Sequence, residues 1–361
     1  RDIIMTKTTA QANQHQSSAT ALVATEPNGV PATMNAIVQR TYGSADTLSA
    51  EELAVPEVGE QEVLIEVVAA GIDRGVIHLM TGTPYLIRLA GFGVLKPKNP
   101  VLGMDVAGRV VATGSSAERF AVGDEVMGIA KGSFAEYAVA DKDKLAIKPT
   151  NLSFEQAAAS TISGITALQA LTTVGRAKAG QHVLVIGASG GVGSFTVQIA
   201  KTLGATVTGV AATSKLDFVR SLGADHVVDY RTTDIGDLDD RFDLIIDIGG
   251  RTPLSKLRHV LAVRGTHVIV GGENGGRWTG GIGRNLRAVL LSLFVKQRMT
   301  FFISSEKREF IDGLVEMLAA GAIAPAIGGR AALDQTPDAI RAIEAGTNSG
   351  KTVVNIGSEA S

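Results

Sequence analysis

Hydrophobic positions change their period along this chain, and the change divides it. Between residues 35 and 140 the apolar runs are short. Strands are predicted over 35–40, 61–70, 105–113, 125–129 and 134–140, with Pro56, Gly59, Gly71, Gly103, Gly114, Gly123 and Asp124 as punctuation. Short strands with frequent turns point to a small barrel or sandwich. Ser153 and Gln156 have capping-box spacing, opening a helix to about residue 161, and a second helix is predicted over 165–174. Strand and helix signals then alternate. Strands are predicted over 182–186, 206–210, 225–228, 242–248, 267–270 and 300–303. Helices are predicted over 215–222 and 253–261, the latter with Thr252 as N-cap and Pro253 at its first position. Alternating βα units imply a parallel, doubly wound sheet, so the fold class is α/β. The tail reads as an amphipathic helix over 306–320, a break at Pro325, a short helix over 337–345 and a strand over 351–356. Residues 1–33 show no sustained period and are expected to be a disordered leader, with Met34 opening the folded part.

The stretch 181–203, QHVLVIGASGGVGSFTVQIAKTL, carries the most chemistry. A β-branched apolar run leads into a glycine turn, and Val192, Phe195, Ile199 and Leu203 then line one helix face. The fingerprint runs Ala188-Ser189-Gly190-Gly191-Val192-Gly193, with Ala in place of the first glycine. Gly190 would let the backbone approach a pyrophosphate, and Gly193 would let helix and strand pack closely. The phosphates would rest on free N–H groups at the helix N-terminus. Two later strands end in Gly249-Gly250 and Gly271-Gly272, at the sheet edge where a dinucleotide lies. A dinucleotide-binding site of this kind prefers a carboxylate about 20 residues past the glycines when the ligand is NAD. The sequence from Gly209 to Lys215 contains none; Ser214 and Lys215 offer a hydroxyl and a cation suited to a 2′-phosphate.

Bulk numbers narrow the classes. At 361 residues and 45% hydrophobic composition the chain can bury about two domains. A net charge of −2 without a basic run makes nucleic acid and anionic membranes unexpected partners. With no cysteine, disulfides, thiolate metal sites and cysteine nucleophiles are excluded. A reducing compartment, the cytoplasm, is the expectation. The apolar stretch 288–295 is too short to cross a bilayer.

The stretches AGIDRGVIHLMTG, NPVLGMDVAGRVVATG, FAVGDEVMG, GSFAEYAVA, GASGGVG, LGADHVVDY and GKTVVNI together resemble the zinc-free quinone oxidoreductase branch of the medium-chain dehydrogenase/reductase superfamily. The resemblance spans about 34–361. It implies a GroES-like catalytic domain (34–156 with 304–361), a Rossmann NADPH-binding domain inserted between (157–303), and a homodimer joined through the last Rossmann strand. It also implies a Lys…Tyr clasp on the NADPH phosphate, here Lys215 and Tyr230, and a threonine, here Thr166, whose hydroxyl meets the nicotinamide amide.

Zinc members of the superfamily carry a Cys after the first Gly-Ile and a His-Glu pair after a Leu-Gly. Here those places hold Asp73 and Met104-Asp105. A thioether is a poor partner for zinc, so no metal is expected. The branch's cleft motif Asn-Pro-x-Asp is replaced as well: Asp73 stands in the Asn place, Val76 in the Asp place and Met80 in that of a following Arg. Asp73, His78 and Tyr85 remain as polar groups that could donate a proton or orient the acceptor. The expected activity is NADPH-dependent hydride transfer to a small electrophilic acceptor, a quinone or an α,β-unsaturated carbonyl. An alcohol dehydrogenase and a non-catalytic NADPH-binding sensor are the rivals.

Overall fold

A computed structural model describes residues 29–271, 276, 278 and 280–357, with only the backbone of Ala90. Residues 1–28 and Gly272 lie outside the described residues. In chain order the first elements are β1 (Thr33–Gln39), β2 (Leu48–Ala54), β3 (Glu62–Ile72), α1 (Arg74–Thr81), β4 (Asp105–Thr113), β5 (Glu125–Ile129), β6 (Tyr137–Asp141) and β7 (Leu145–Ile147). The middle of the chain gives α2 (Phe154–Ala158), α3 (Thr161–Gln169), β8 (His182–Ile186), α4 (Gly191–Thr202), β9 (Thr206–Ala211), α5 (Leu216–Ser221), β10 (His226–Asp229), β11 (Phe242–Asp247), α6 (Leu254–Val260), β12 (Leu261–Ile269), α7 (Ile282–Ser292) and β13 (Arg298–Phe301). The tail adds α8 (Arg308–Ala319), β14 (Ile327–Ala332), α9 (Thr336–Glu344) and β15 (Lys351–Asn355).

Two large sheets organise most of these elements, and β1 and β2 form a third of two strands. One large sheet runs β10-β9-β8-β11-β12-β13 with every pair parallel. Val183, Leu184, Val185 and Ile186 of β8 are all buried, as in a strand covered on both faces. Strand order reverses between β8 and β11, which opens a crevice at their C-terminal ends. The other sheet runs β14-β15-β3-β4-β5-β7, with β6 also on β3. Strand β3 is its buried spine, and the tail closes it: Thr352 to Asn355 of β15 pair antiparallel with Ile72 to Ala69.

Several expectations need correction. The segment expected to be disordered ends earlier, because Thr33 already pairs with Ala54 and the Val55 N–H reaches Ala32 O at 3.1 Å. The helix expected from 153 to 161 has the capping box but stops at Ala158. A new helix starts at Thr161, because the Ile162 N–H is taken by Asp105 Oδ1 at 2.8 Å. Pro253, not Thr252, is the N-cap of α6; Thr252 instead gives its carbonyl to Arg284. Strands β2, β7 and β14 and helices α1 and α7 were not foreseen. Strand β2 reads LSAEELA and β14 IGGRAA, neither with an apolar run, and each is held by its neighbour's ladder.

Candidate cofactor and acceptor site

The phosphate turn follows β8. Gly187 adopts φ 88°, and Gly190 caps α4 at φ −85°. A Cβ on Gly193 would stand 2.1 Å from Gly187 O, so the helix can lie this close to the strand only with glycine there. A Cβ on Gly190 would meet nothing nearer than Gly187 O at 3.6 Å. Side chains do not crowd this position, where a pyrophosphate would approach the backbone. The first-turn N–H groups of α4, with its macrodipole, face the same side. Ala188 is buried where a larger residue would strike Gly209, whose own Cβ would lie 3.2 Å from that of Ala188. The tail touches the turn directly: Gly350 N–H donates to Ser189 O at 2.8 Å. A Cβ on Gly191 would come within 2.8 Å of Lys351 Cδ.

The far end of the crevice is cationic. Past β9, Ser214 is exposed. Lys215 Nζ donates to Gly346 O at 2.8 Å and to Asn348 O at 2.6 Å. Burial, then the charges of Arg231 and Arg74, push the Lys215 ammonium below its ordinary pKa. Arg231 and Arg74 are thus near enough to act on the Lys215 charge, and both were missed from sequence. The signal was adjacency, since Arg231 follows Tyr230 and Arg74 follows Asp73. Tyr230 is exposed at the end of β10, and the preceding Asp229 is occupied by the Thr213 hydroxyl and the Arg231 N–H.

At the other half of the crevice, a Cβ on Gly271 would lie 2.0 Å from Ile248 O, and one on Gly249 would lie 3.5 Å from Ile186 Cγ2. Asp247 at the end of β11 accepts from Gly250 N–H at 2.9 Å and Arg284 Nη2 at 2.6 Å. His267 Nε2 is farther, 3.5 Å from the same carboxylate. Burial would raise the Asp247 pKa, but His267 and Arg284 hold it below the carboxylate range. This brace joins the loop after β11 to α7 and was invisible in sequence, because α7 itself was. Beside it a cavity of about 530 Å³ is lined by Gly250, Thr252, Gly280 and Arg284 among others.

The residues expected at the acceptor end lie at and around the head of α1. Asp73 caps that helix: Oδ1 accepts from Gly75 N–H at 2.6 Å and Val76 N–H at 3.3 Å. Its Oδ2 is buried with no hydrogen-bond partner among the described residues. A Cβ on Gly75 would lie 2.7 Å from Asp73 Oδ1 and 3.3 Å from Met104 Cε, so Met104 stands close by. Asp105 and Lys351 are both fully buried and paired at 2.7 Å. Burial pushes the Asp105 carboxyl up to about 6; Lys351 opposes this and the charge of Asp73 adds to it. Thr166 donates to Ile162 O at 2.7 Å and reaches Ser304 Oγ at 3.1 Å. His78 is exposed, with Nδ1 3.0 Å from Thr83 O. The Tyr85 ring meets Trp278 edge to face at 5.2 Å. The structure thus gathers Asp73, Met104, Asp105 and Lys351 around one point and leaves His78 facing out. A zinc ion does not fit this donor set: a thioether replaces one ligand, and a lysine ammonium already neutralises Asp105. Among the described residues no three His, Asp or Glu side chains gather as a metal site.

Residues 59–150 match the alcohol dehydrogenase GroES-like domain family, and residues 222–354 the zinc-binding dehydrogenase family. The 2-methylene-furan-3-one reductase of Solanum lycopersicum is 32% identical over 342 residues, 90% of this chain and 80% of that protein. The chloroplastic NADPH-dependent alkenal/one oxidoreductase of Arabidopsis thaliana is 37% identical, over 65% of this chain and 62% of its own length. The solved quinone oxidoreductase of Escherichia coli, complexed with NADPH, superposes with a TM-score of 0.77 at 26% identity, covering 89% of this chain and 99% of that one. With its GroES-like segment, its parallel dinucleotide sheet and these relatives, the chain belongs to the quinone oxidoreductase-like branch of the medium-chain dehydrogenase/reductase superfamily.

Proposed function

We propose that the chain is an NADPH-dependent reductase of quinones and α,β-unsaturated carbonyls that works without a metal. The carrying observation is the buried Asp105–Lys351 pair beside Met104 and Asp73, at the place where zinc relatives hold their ligands. Without a Lewis acid, the acceptor must delocalise its own developing charge, as quinones and enones do and plain ketones do not. When bound, NADPH supplies the hydride. The turn from Ala188 to Gly193 holds its pyrophosphate; Ser214, Lys215 and Arg231, with Tyr230 over the edge, take the 2′-phosphate. Gly249 and Gly271 let the backbone approach, and Thr166 lies on the nicotinamide side. Asp73, whose Oδ2 is unpartnered, is the group we propose to orient the acceptor or to relay the proton that completes reduction. His78 and Tyr85 stand on the rim, orienting the acceptor at most. We also propose a domain division at about 156 and 303, which the separation of the two large sheets supports.

An acceptor screen following NADPH absorbance tests this. Short quinones and 2-alkenals should turn over, and simple ketones and alcohols much more slowly; turnover of simple alcohols alone overturns the reading. Asp73→Asn should shift the pH profile of kcat while leaving cofactor affinity in place. An unchanged profile removes Asp73 from the chemistry.

The chain is further proposed to pair with a second copy along β13. That strand is the sheet's edge, and Leu290, Leu293, Phe294 and Ile303 beside it are exposed. No helix among the described residues is long and apolar enough to cross a membrane. The absence of cysteine favours a reducing compartment such as the cytoplasm.

A further inference from the structure

We infer that the segment between α1 and β4 is a docking surface for anionic lipid membranes. Its arginine turns inward: Arg88 stacks its guanidinium 4.3 Å from the Tyr42 ring centre and 4.7 Å from that of Tyr85, and its Nε donates to Gly82 O at 2.9 Å. The Tyr42 hydroxyl donates to Gly93 O at 2.7 Å, and Lys98 N–H to Phe92 O at 2.8 Å. These bonds fasten the base of the loop. Its apolar side chains turn outward: Leu89 is 71% exposed and Leu95 90%, with Leu86, Phe92 and Val94 exposed between them. Five large apolar side chains presented within ten residues are unusual on a surface that only meets water.

Charge selects the occupant. From Thr81 to Val101 there is no Asp or Glu, while Arg88, Lys96 and Lys98 contribute +3, in a chain whose total is −2. Lys96 and Lys98 are exposed and follow the exposed Leu95. Apolar tips beside lysines suit an interface in which the tips enter the acyl boundary and the ammonium groups meet anionic headgroups. The bulk charge hid this local excess. The segment runs directly from Tyr85 on the site's rim, whose ring meets the exposed Trp278. Docking there would set the site's mouth at the bilayer, where a lipophilic quinone resides; this last step rests on the acceptor class proposed above, whereas the docking does not.

The test is sedimentation of the purified full chain with two kinds of vesicle: phosphatidylcholine alone, and phosphatidylcholine with about a quarter phosphatidylglycerol. Binding is expected to the anionic vesicles, to weaken with salt, and to fall roughly tenfold or more in Lys96→Glu/Lys98→Glu and in Leu89→Ser/Phe92→Ser/Leu95→Ser. Both variants should keep wild-type melting temperatures and wild-type turnover of a short, water-soluble quinone. No binding to anionic vesicles overturns the proposal, as does binding that both variants retain. Oligomers lost only in the apolar variant would assign the surface to a second copy instead. Sedimentation does not depend on turnover, so failure of the acceptor reading would leave this result readable.

Discussion

Lys215 is the residue proposed to decide between the two nicotinamide cofactors, through one ammonium. In the absence of phosphate that ammonium holds the carbonyls of Gly346 and Asn348, with Arg231 and Arg74 close enough to depress its pKa. A 2′-phosphate relieves that repulsion. Lys215→Ala should weaken NADPH by about 1.5–3 kcal/mol and leave NADH nearly unchanged, as read by titration of each. Equal losses would move the phosphate elsewhere. Asp105 makes a second prediction. A free Asp titrates near 3.9, and here burial has pushed the group to about 6. The folded state therefore binds the proton more tightly than the unfolded one. The stabilisation from that proton is complete at low pH and is lost as pH rises through 6. Asp105→Asn carries no such term, so denaturant melts should show it gaining on wild type between pH 4 and 7. The opposite slope would mean that Lys351 outweighs the desolvation.

The glycines of the phosphate turn separate into those the fold needs and those only a ligand needs. Gly193→Ala would put a methyl into Gly187 O and should cost about 3 kcal/mol or more in thermal melts. Gly190→Ala meets only an ordinary contact and should cost about 1 kcal/mol or less, yet weaken NADPH at least about tenfold. Comparable stability losses in the two variants would refute this separation. The same element shows why much was legible in advance. A buried β-branched strand, a glycine turn and a helix with one apolar face are all local signals, and β8 and α4 stand where that pattern put them. Elements that depend on partners outside their own stretch did not announce themselves. Strands β2 and β14 have little apolar pattern of their own and are held by ladders. The break between α2 and α3 exists because Asp105, far away in sequence, takes the Ile162 N–H. The acceptor end was half legible: Asp73 stood out by position, but its partnership with Met104, Asp105 and Lys351 needed the tail brought back against β3.

At the scale of the molecule, the parallel sheet ends in an unpaired edge at β13, with the apolar side chains of α7 and Ile303 exposed beside it. An edge left this way in solution invites pairing with another chain. Light scattering at micromolar concentration should therefore give a dimer, and a clean monomer would count against the β13 interface. The return of the tail has a consequence of another kind, in the timing of biosynthesis. Gly350 seals the phosphate turn through Ser189, and its neighbour Lys351 neutralises Asp105, so consecutive residues finish both halves of the site. A ribosome makes β3 early and β15 late, and throughout that interval the Ala69–Ile72 stretch of β3 lacks its partner on one edge. Pairings this distant in sequence form slowly and leave the growing polypeptide open to aggregation. Tight NADPH capture thus becomes a late event in the life of each newly made chain, and binding then stabilises only molecules whose last strand is already in place.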